Sequence, residues 1–285
     1  MEWERSRAVV PRFEWLETAG STNDVLREAA TGPDAAGWPH GAVVVTDDQT
    51  RGRGRLGRTW LAPTGKTLAI SVLLRPAAAA GPGAGRATRL PADAFGWLPL
   101  IAGVAMTETV RDAVAAASAD RGGEDDGTGG VDVELKWPND VLVSGYKACG
   151  ILSELVAEDA VVIGAGLNLT LDEHDLPTLT STSLLLATGR RPDADAVLSG
   201  YLSRLLDLVD RFIASGGDPS ASGVAERVAA VCGTLGHEVR VELPGGGELV
   251  GVAERLDDDG RLVVRDRENG EPQAVAAGDV THLRY

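Results

Sequence analysis

The chain has 285 residues, enough for about two domains and for a core that needs no disulfide staples. Its 42 acidic and 27 basic residues leave a formal charge of −15, so the overall field repels nucleic acid and anionic membrane and excludes a general nucleic-acid-binding surface. The 36 glycines and 14 prolines stay below the roughly 25–30% share that marks a low-complexity chain. The N-terminus, Met1-Glu2-Trp3-Glu4-Arg5-Ser6-Arg7, has no apolar h-region, and a cytoplasmic protein is expected. Ser21-Thr22-Asn23-Asp24 offers N-cap oxygens ahead of Val25, Leu26, Ala29 and Ala30 at helical spacing, and Gly32 closes that helix. Ala42 to Thr46 reads as a short buried strand, Asp47 to Gly57 as a loop, and Thr67 to Leu74 as a second strand.

Residues 77 to 94 read as a loose surface loop. The longest apolar run, Phe95 to Met106, carries Pro99 and is too short to span a bilayer. Trp97 to Ala117 reads as a long apolar helix, and an acidic glycine-rich stretch follows from Ala119 to Gly130. Strands are expected at Val133 to Trp137, Val141 to Val143, Ala148 to Val156 and Val161 to Leu169. An amphipathic helix over Val197 to Ile213 and a shorter one over Gly223 to Val231 come next. After Gly236 the period changes to two, over Glu238 to Leu243, Glu248 to Leu256, Arg261 to Arg265 and Gln273 to Val280. Tight turns at Gly245-Gly246-Gly247 and Asp257 to Gly260 separate these runs and predict a small all-β barrel. Two cysteines, Cys149 and Cys232, and four scattered histidines support neither a disulfide framework nor a metal cluster.

The densest chemical signal is Gln49-Thr50-Arg51-Gly52-Arg53-Gly54-Arg55-Leu56-Gly57-Arg58. Glycines let backbone amides converge on an anion, and arginine forks match carboxylate and phosphate oxygens, so the loop predicts a polyanion site. The alternative is a plain solvated basic loop. Gly52-x-Gly54-x-x-Gly57 formally matches a dinucleotide fingerprint. However, Pro63-Thr64-Gly65 follow where a helix should open, and no acid lies about 20 residues on.

A second cluster is Lys136-Trp137-Pro138-Asn139-Asp140, then Val141-Leu142-Val143 and Tyr146-Lys147-Ala148-Cys149-Gly150. A hairpin turn at Ser144-Gly145 would set Val143 opposite Tyr146, Leu142 opposite Lys147 and Val141 opposite Ala148. Asp140 and Lys147 then share one face as diagonal neighbours, either as a plain ion pair or as a site for an anionic substrate and a metal-bound polyphosphate. Cys149 reads as a packed residue. The glycines of Gly164-Ala165-Gly166-Leu167-Asn168 would let a ligand approach the backbone. Trp60 and Trp137 read as core residues.

Taken together, these residues resemble the biotin–protein ligases. The resemblance rests on five blocks in the family's order between residues 21 and 168: Ser21-Thr22-Asn23; Gln49-x-x-Gly52-Arg53-Gly54-Arg55-x-Gly57-Arg58-x-Trp60; Lys136-Trp137-Pro138-Asn139-Asp140; Lys147-x-x-Gly150-Ile151-Leu152-x-Glu154; and Gly164-x-Gly166-x-Asn168. It implies an α+β fold. A central mixed β-sheet flanked by helices, of the class II synthetase and biotin–lipoyl ligase type, would occupy residues 1–232, and a small SH3-like β-barrel residues 233–285.

The implied reaction is ATP-dependent formation of biotinyl-5′-AMP, followed by transfer of biotin to a lysine of a biotin carboxyl carrier domain. The resemblance places Ser21, Thr22, Asn23 and Gln49 on the biotin head, and Arg53 and Gly54 over its tail. It places Gly150 on biotin through its backbone, with Trp60 beside the ligand. Arg55 and Arg58 would meet phosphate oxygens, and Asn168 would lie near the nucleotide. Asn139 and Asp140 would serve ATP, Asp140 also reaching its Mg²⁺. Lys147, Arg55 and Arg53 are the implied catalytic residues, with Lys147 bridging carboxylate and α-phosphate.

Only about 20 residues precede Ser21, so a ligase without the DNA-binding domain that some relatives carry is expected, acting as a monomer or weak homodimer with no nucleic-acid or membrane partner. The rival readings are a lipoate or octanoate ligase and a non-catalytic biotin sensor. The arginine loop is expected to be mobile when empty, because neighbouring arginines repel.

Overall fold

The computed structural model describes residues 2–60, 63–76, 90–119, 131–157 and 160–283. The expected surface stretches therefore lie outside the described residues over 77–89 and 120–130.

A seven-stranded mixed sheet forms the centre. Its strands are β1 (Phe13–Trp15), β2 (Val43–Thr46), β3 (Thr67–Leu74), β4 (Val133–Lys136), β5 (Asp140–Val143), β6 (Tyr146–Ala157) and β7 (Ala160–Asn168), in the order β1-β2-β3-β7-β6-β5-β4. Only β1 and β2 pair in parallel. Alternation sorts the side chains by face. Val43, Val45, Ile70, Val72, Ile163 and Ala165 enter the main core, whereas Val44, Leu73 and Val162 point the other way.

The main core is covered by the long helices α3 (Trp97–Ala119) and α5 (Ala194–Ala214). Between and after them come α4 (Leu184–Thr188) and α6 (Val224–Val231), and α1 (Glu4–Ala8) packs on α5. The apolar stripe Leu198, Tyr201, Leu202, Leu205, Val209 and Phe212 faces inward as its spacing predicts. On the opposite face α2 (Thr22–Thr31) buries Leu26 and Ala30 against Val44, Leu73 and Val162. That face also carries the cavity described below. Among the described residues no helix is long and apolar enough to cross a membrane.

The C-terminal part is a five-stranded antiparallel sheet of β8 (Glu238–Glu242), β9 (Glu248–Leu256), β10 (Leu262–Asp266), β11 (Pro272–Val275) and β12 (Asp279–His282), ordered β11-β10-β9-β8-β12. The run Gln273 to Val280, read as one strand, is two strands on opposite edges. The break is at Gly278, where a Cβ would lie 2.6 Å from Val241 Cγ1 and 2.9 Å from the Glu242 carbonyl. Only a bare backbone passes that close to β8, and Ala276-Ala277 carries no turn residue to announce it. The two sheets share one hydrophobic cluster, with Val239, Val241, Leu249 and Val264 joined to Trp97 and Leu100. Two buried indoles pin the turn 257–260: Trp97 Nε1 donates to the Asp258 carbonyl at 2.7 Å, and Trp137 Nε1 to the Gly260 carbonyl at 3.3 Å.

Candidate functional site

A cavity of about 400 Å³ opens on the α2 face. The start of α2, the loop 49–60, cavity-facing residues of β3, β5, β6 and β7, the segment 177–181 and Asp279 of the C-terminal sheet line it. Every residue expected in the site lines it.

Ser21, Thr22 and Asn23 sit at the N-terminus of α2, all buried. Ser21 holds the N-cap position but makes no side-chain capping bond. Gln49 replaces it: its Oε1 accepts from the Thr22 amide at 3.0 Å and from Thr22 Oγ1 at 3.3 Å. The helix start and the arginine loop are thereby tied together. Asn23 is held at both ends of its amide. Its Oδ1 accepts from Ser71 Oγ at 2.6 Å, and its Nδ2 donates to Glu154 Oε2 at 2.6 Å.

The hairpin forms as expected, with Ser144 and Gly145 both at positive φ, but its register differs. Val141 pairs with Cys149 rather than Ala148, because a bulge interrupts β6 after Lys147. Ala148 and Cys149 consequently both enter the core. The extra residue turns Lys147 and Gly150, three positions apart, onto the same face, which an unbroken strand would forbid. Lys147 Nζ lies 2.7 Å from Asp140 Oδ1, so the expected pairing is made.

The glycines are filled differently from expectation. Gly150 and Gly166 are cross-strand partners, and Trp60 lies over both. A Cβ would meet its ring at 2.9 Å from Gly150 and 2.5 Å from Gly166. Trp60 is thus part of the cavity wall, not of the core, and Lys147 Nζ stands 5.6 Å from its ring centroid. Trp137, by contrast, is a core residue as expected. At Gly164 the Asn23 amide fills the space, 2.4 Å from a Cβ position. Side chains of the protein occupy the room over these glycines, so they shape the cavity wall. Gly166→Ala is expected to force Trp60 off the sheet, costing about 1–3 kcal/mol of stability and weakening ligand binding. Thermal melts with and without ligand would check both parts.

The loop's arginines take different partners. Arg53 makes a bidentate pair with Glu154, both contacts at 2.9 Å, and reaches Asp24 at 2.8 Å. Arg55 Nη1 donates to Asn139 Oδ1 at 3.0 Å and to the Gly278 carbonyl at 3.3 Å, and burial lowers its pKa from the ordinary value. Arg58 pairs with Asp279 of the C-terminal sheet. Each of these arginines thus has its own acceptor, while the neighbouring Arg58 charge adds to the lowering at Arg55. Burial likewise lowers the pKa of Lys136 and pushes the Cys149 thiol well up, in keeping with a packed, unreactive cysteine.

Sequence reasoning missed Asp279, Asp24 and the segment 178–182. This segment runs beside Lys147, whose amide donates to the Thr180 carbonyl at 2.8 Å, and whose carbonyl accepts from the Thr182 amide at 2.9 Å. Asn168 Nδ2 fastens it further by donating to the Thr182 carbonyl at 2.9 Å. The segment is irregular, so no periodicity marks it. Only its run of hydroxyl residues stands out.

Residues 21–168 match the Biotin/lipoate A/B protein ligase family, and residues 234–283 match the biotin protein ligase C-terminal domain. A biotin–acetyl-CoA-carboxylase ligase of Mycobacterium tuberculosis is 37% identical over 274 residues, covering 96% of this chain and 90% of the relative. The Aquifex aeolicus biotin protein ligase in complex with biotin and ATP superposes with a TM-score of 0.69 at 26% identity, covering 96% of this chain and all of that one. The Leishmania major biotin protein ligase in complex with biotinyl-5-AMP gives a TM-score of 0.58 at 26% identity, over 94% and 99% of the two chains. The ordered blocks, the mixed sheet with its SH3-like companion and the near full-length likeness agree: the chain belongs to the biotin protein ligases.

Proposed function

We propose that this chain activates biotin with ATP and transfers it to a lysine of a biotin carboxyl carrier domain, with the cavity residues acting as follows. The observation that carries this reading is the Lys147–Asp140 pair on the same cavity wall as Trp60, with the arginine loop alongside, in a chain of this family. Two anions must meet in the first step. A biotin carboxylate oxygen attacks the α-phosphorus of ATP, a bond to that phosphorus forms, and the bond to pyrophosphate breaks. Cationic screening and orientation suffice for this, and the protein need supply no nucleophile.

Lys147 would span carboxylate and α-phosphate, its ammonium held by Asp140. Arg55 and Arg58 would meet phosphate oxygens after exchanging Asn139 and Asp279 for them. Ser21, Thr22, Asn23 and Gln49 would bind the ureido end, with Gly54 and Gly150 along the tail and Trp60 as an apolar wall. Asn139 and Asn168 would lie on the nucleotide side. Arg53 is bound to two carboxylates, so we assign it to holding the loop and not to the reacting atoms.

Mg²⁺ would arrive as part of the MgATP substrate. Among the described residues no group of three or more His, Cys, Asp or Glu could hold it alone, and Asp140 would add one carboxylate. In the second step the carrier's neutral lysine amine attacks the acyl carbon. The C–O bond to phosphate breaks, AMP leaves, and the nitrogen's proton passes to solvent. A cytoplasmic site of action fits this carrier substrate.

The test is biotin-dependent exchange of labelled pyrophosphate into ATP, with lipoate and octanoate run alongside. Exchange with biotin alone is expected. Exchange with lipoate instead would assign a different acid, and binding of biotin without exchange would make the chain a sensor.

A further inference from the structure

Neither chemical step uses Glu154, yet its carboxylate, next to the cavity residues Asn23 and Arg53, accepts four hydrogen bonds. Oε2 accepts from Asn23 Nδ2 at 2.6 Å and from Arg53 Nη2 at 2.9 Å. Oε1 accepts from Arg53 Nη1 at 2.9 Å and from Arg27 Nη2 at 3.0 Å. Asp24 closes the cluster, its Oδ1 accepting from Arg53 at 2.8 Å and from Arg27 at 2.6 Å. Three separate segments meet here: the first turn of α2, the arginine loop and strand β6.

Glu154 has a defined consequence at each end. The Asn23 amide sits in the space left by the missing Cβ of Gly164. Turned over, it would set its oxygen against the Glu154 carboxylate and its NH₂ against Ser71. The charge of Glu154 therefore selects which face of the amide the cavity sees. At the other end the bidentate pair fixes Arg53, whose backbone bridges Thr59 and so anchors the loop across its base. The nucleotide-side arginines are anchored elsewhere, on Asn139, Gly278 and Asp279.

We infer that Glu154 is a positioning residue that couples the biotin-binding end of the cavity to the anchoring of the arginine loop, and thereby governs retention of the adenylate. The inference rests on the ligase reading above. It makes a split in the kinetics. Glu154→Gln keeps the shape and removes the charge. It is expected to raise KM for biotin about ten- to hundredfold, the scale of a lost charge-assisted bidentate contact, and to leave KM for ATP within about threefold. Release of labelled adenylate from isolated complex should accelerate by a similar factor. Arg27→Gln touches the same carboxylates but neither Asn23 nor the loop, and should hold KM for biotin within about twofold.

Pyrophosphate exchange on the full chain gives both KM values, and filter binding gives adenylate release. Equal movement of both KM values, or no movement with unchanged release, would overturn the inference. Should Glu154→Gln fail to fold, Asp24→Asn removes one Arg53 contact at a more exposed position and must shift biotin KM and release in the same direction. Absence of biotin-dependent exchange in the wild-type chain would instead sink the ligase reading itself.

Discussion

Lys147→Gln is expected to slow biotin-dependent pyrophosphate exchange by about 10²–10³-fold, the scale of removing one preorganised electrostatic donor. The fold places this ammonium with three constraints. Asp140 holds it at 2.7 Å, the Trp60 ring stands 5.6 Å away, and the backbone of Lys147 is gripped on both sides by the segment 180–182. Its position is therefore set before substrate arrives, and no reorganisation is needed as charge develops between carboxylate and phosphate. Glutamine keeps a donor but loses the charge. The loss should fall mainly on the maximal rate, and transfer from preformed adenylate to a carrier domain should slow as well. Near-normal exchange by the variant would reduce Lys147 to one half of a structural ion pair.

Arg55→Gly should produce the opposite phenotype: an enzyme that still makes the adenylate but loses it. The Arg55 side chain joins the loop to Asn139 of the central sheet and to the Gly278 carbonyl of the C-terminal sheet. Removing it deletes one phosphate contact and both anchors. Of the residues assigned to the ureido end (Ser21, Thr22, Asn23 and Gln49), Thr22 is bonded to Gln49 and Ser71, and Asn23 to Ser71 and Glu154, none through Arg55, so biotin binding should survive. Adenylate release is expected to rise about ten- to hundredfold, matching about 1.5–3 kcal/mol for hydrogen bonds to a charged group. Biotin labelling of bystander proteins incubated with the variant and ATP would report it. Labelling no higher than with wild type would mean that Arg55 does not retain the intermediate.

Much of this molecule was legible along the chain. Short apolar runs located every central strand except β1 to within a few residues, and the stripe from Val197 to Ile213 located α5. The spacing across Ser144-Gly145 was enough to bring Asp140 and Lys147 together. The pairing survived a register error there because a bulge changes which residue faces Val141 without moving Lys147. Trp60 read as a core residue from its composition, although the resemblance set it beside the ligand. An indole beside a glycine-rich loop has the composition of either a core or a cavity residue. Only the glycine pair on β6 and β7 decides between them.

What the sequence by itself determined is the local order and the chemical inventory: which segments are strands or helices, and which residues bring cations, carboxylates and close-approach glycines. These follow from periodicity and spacing that act over a few residues. Only the tertiary structure decided the partners. Arg53 meets a carboxylate 101 residues away, and Arg58 one that is 221 residues away on the second sheet. Such pairings depend on how whole layers pack, because a long charged side chain can reach several carboxylates. Which one it takes is settled by the sheet that presents it.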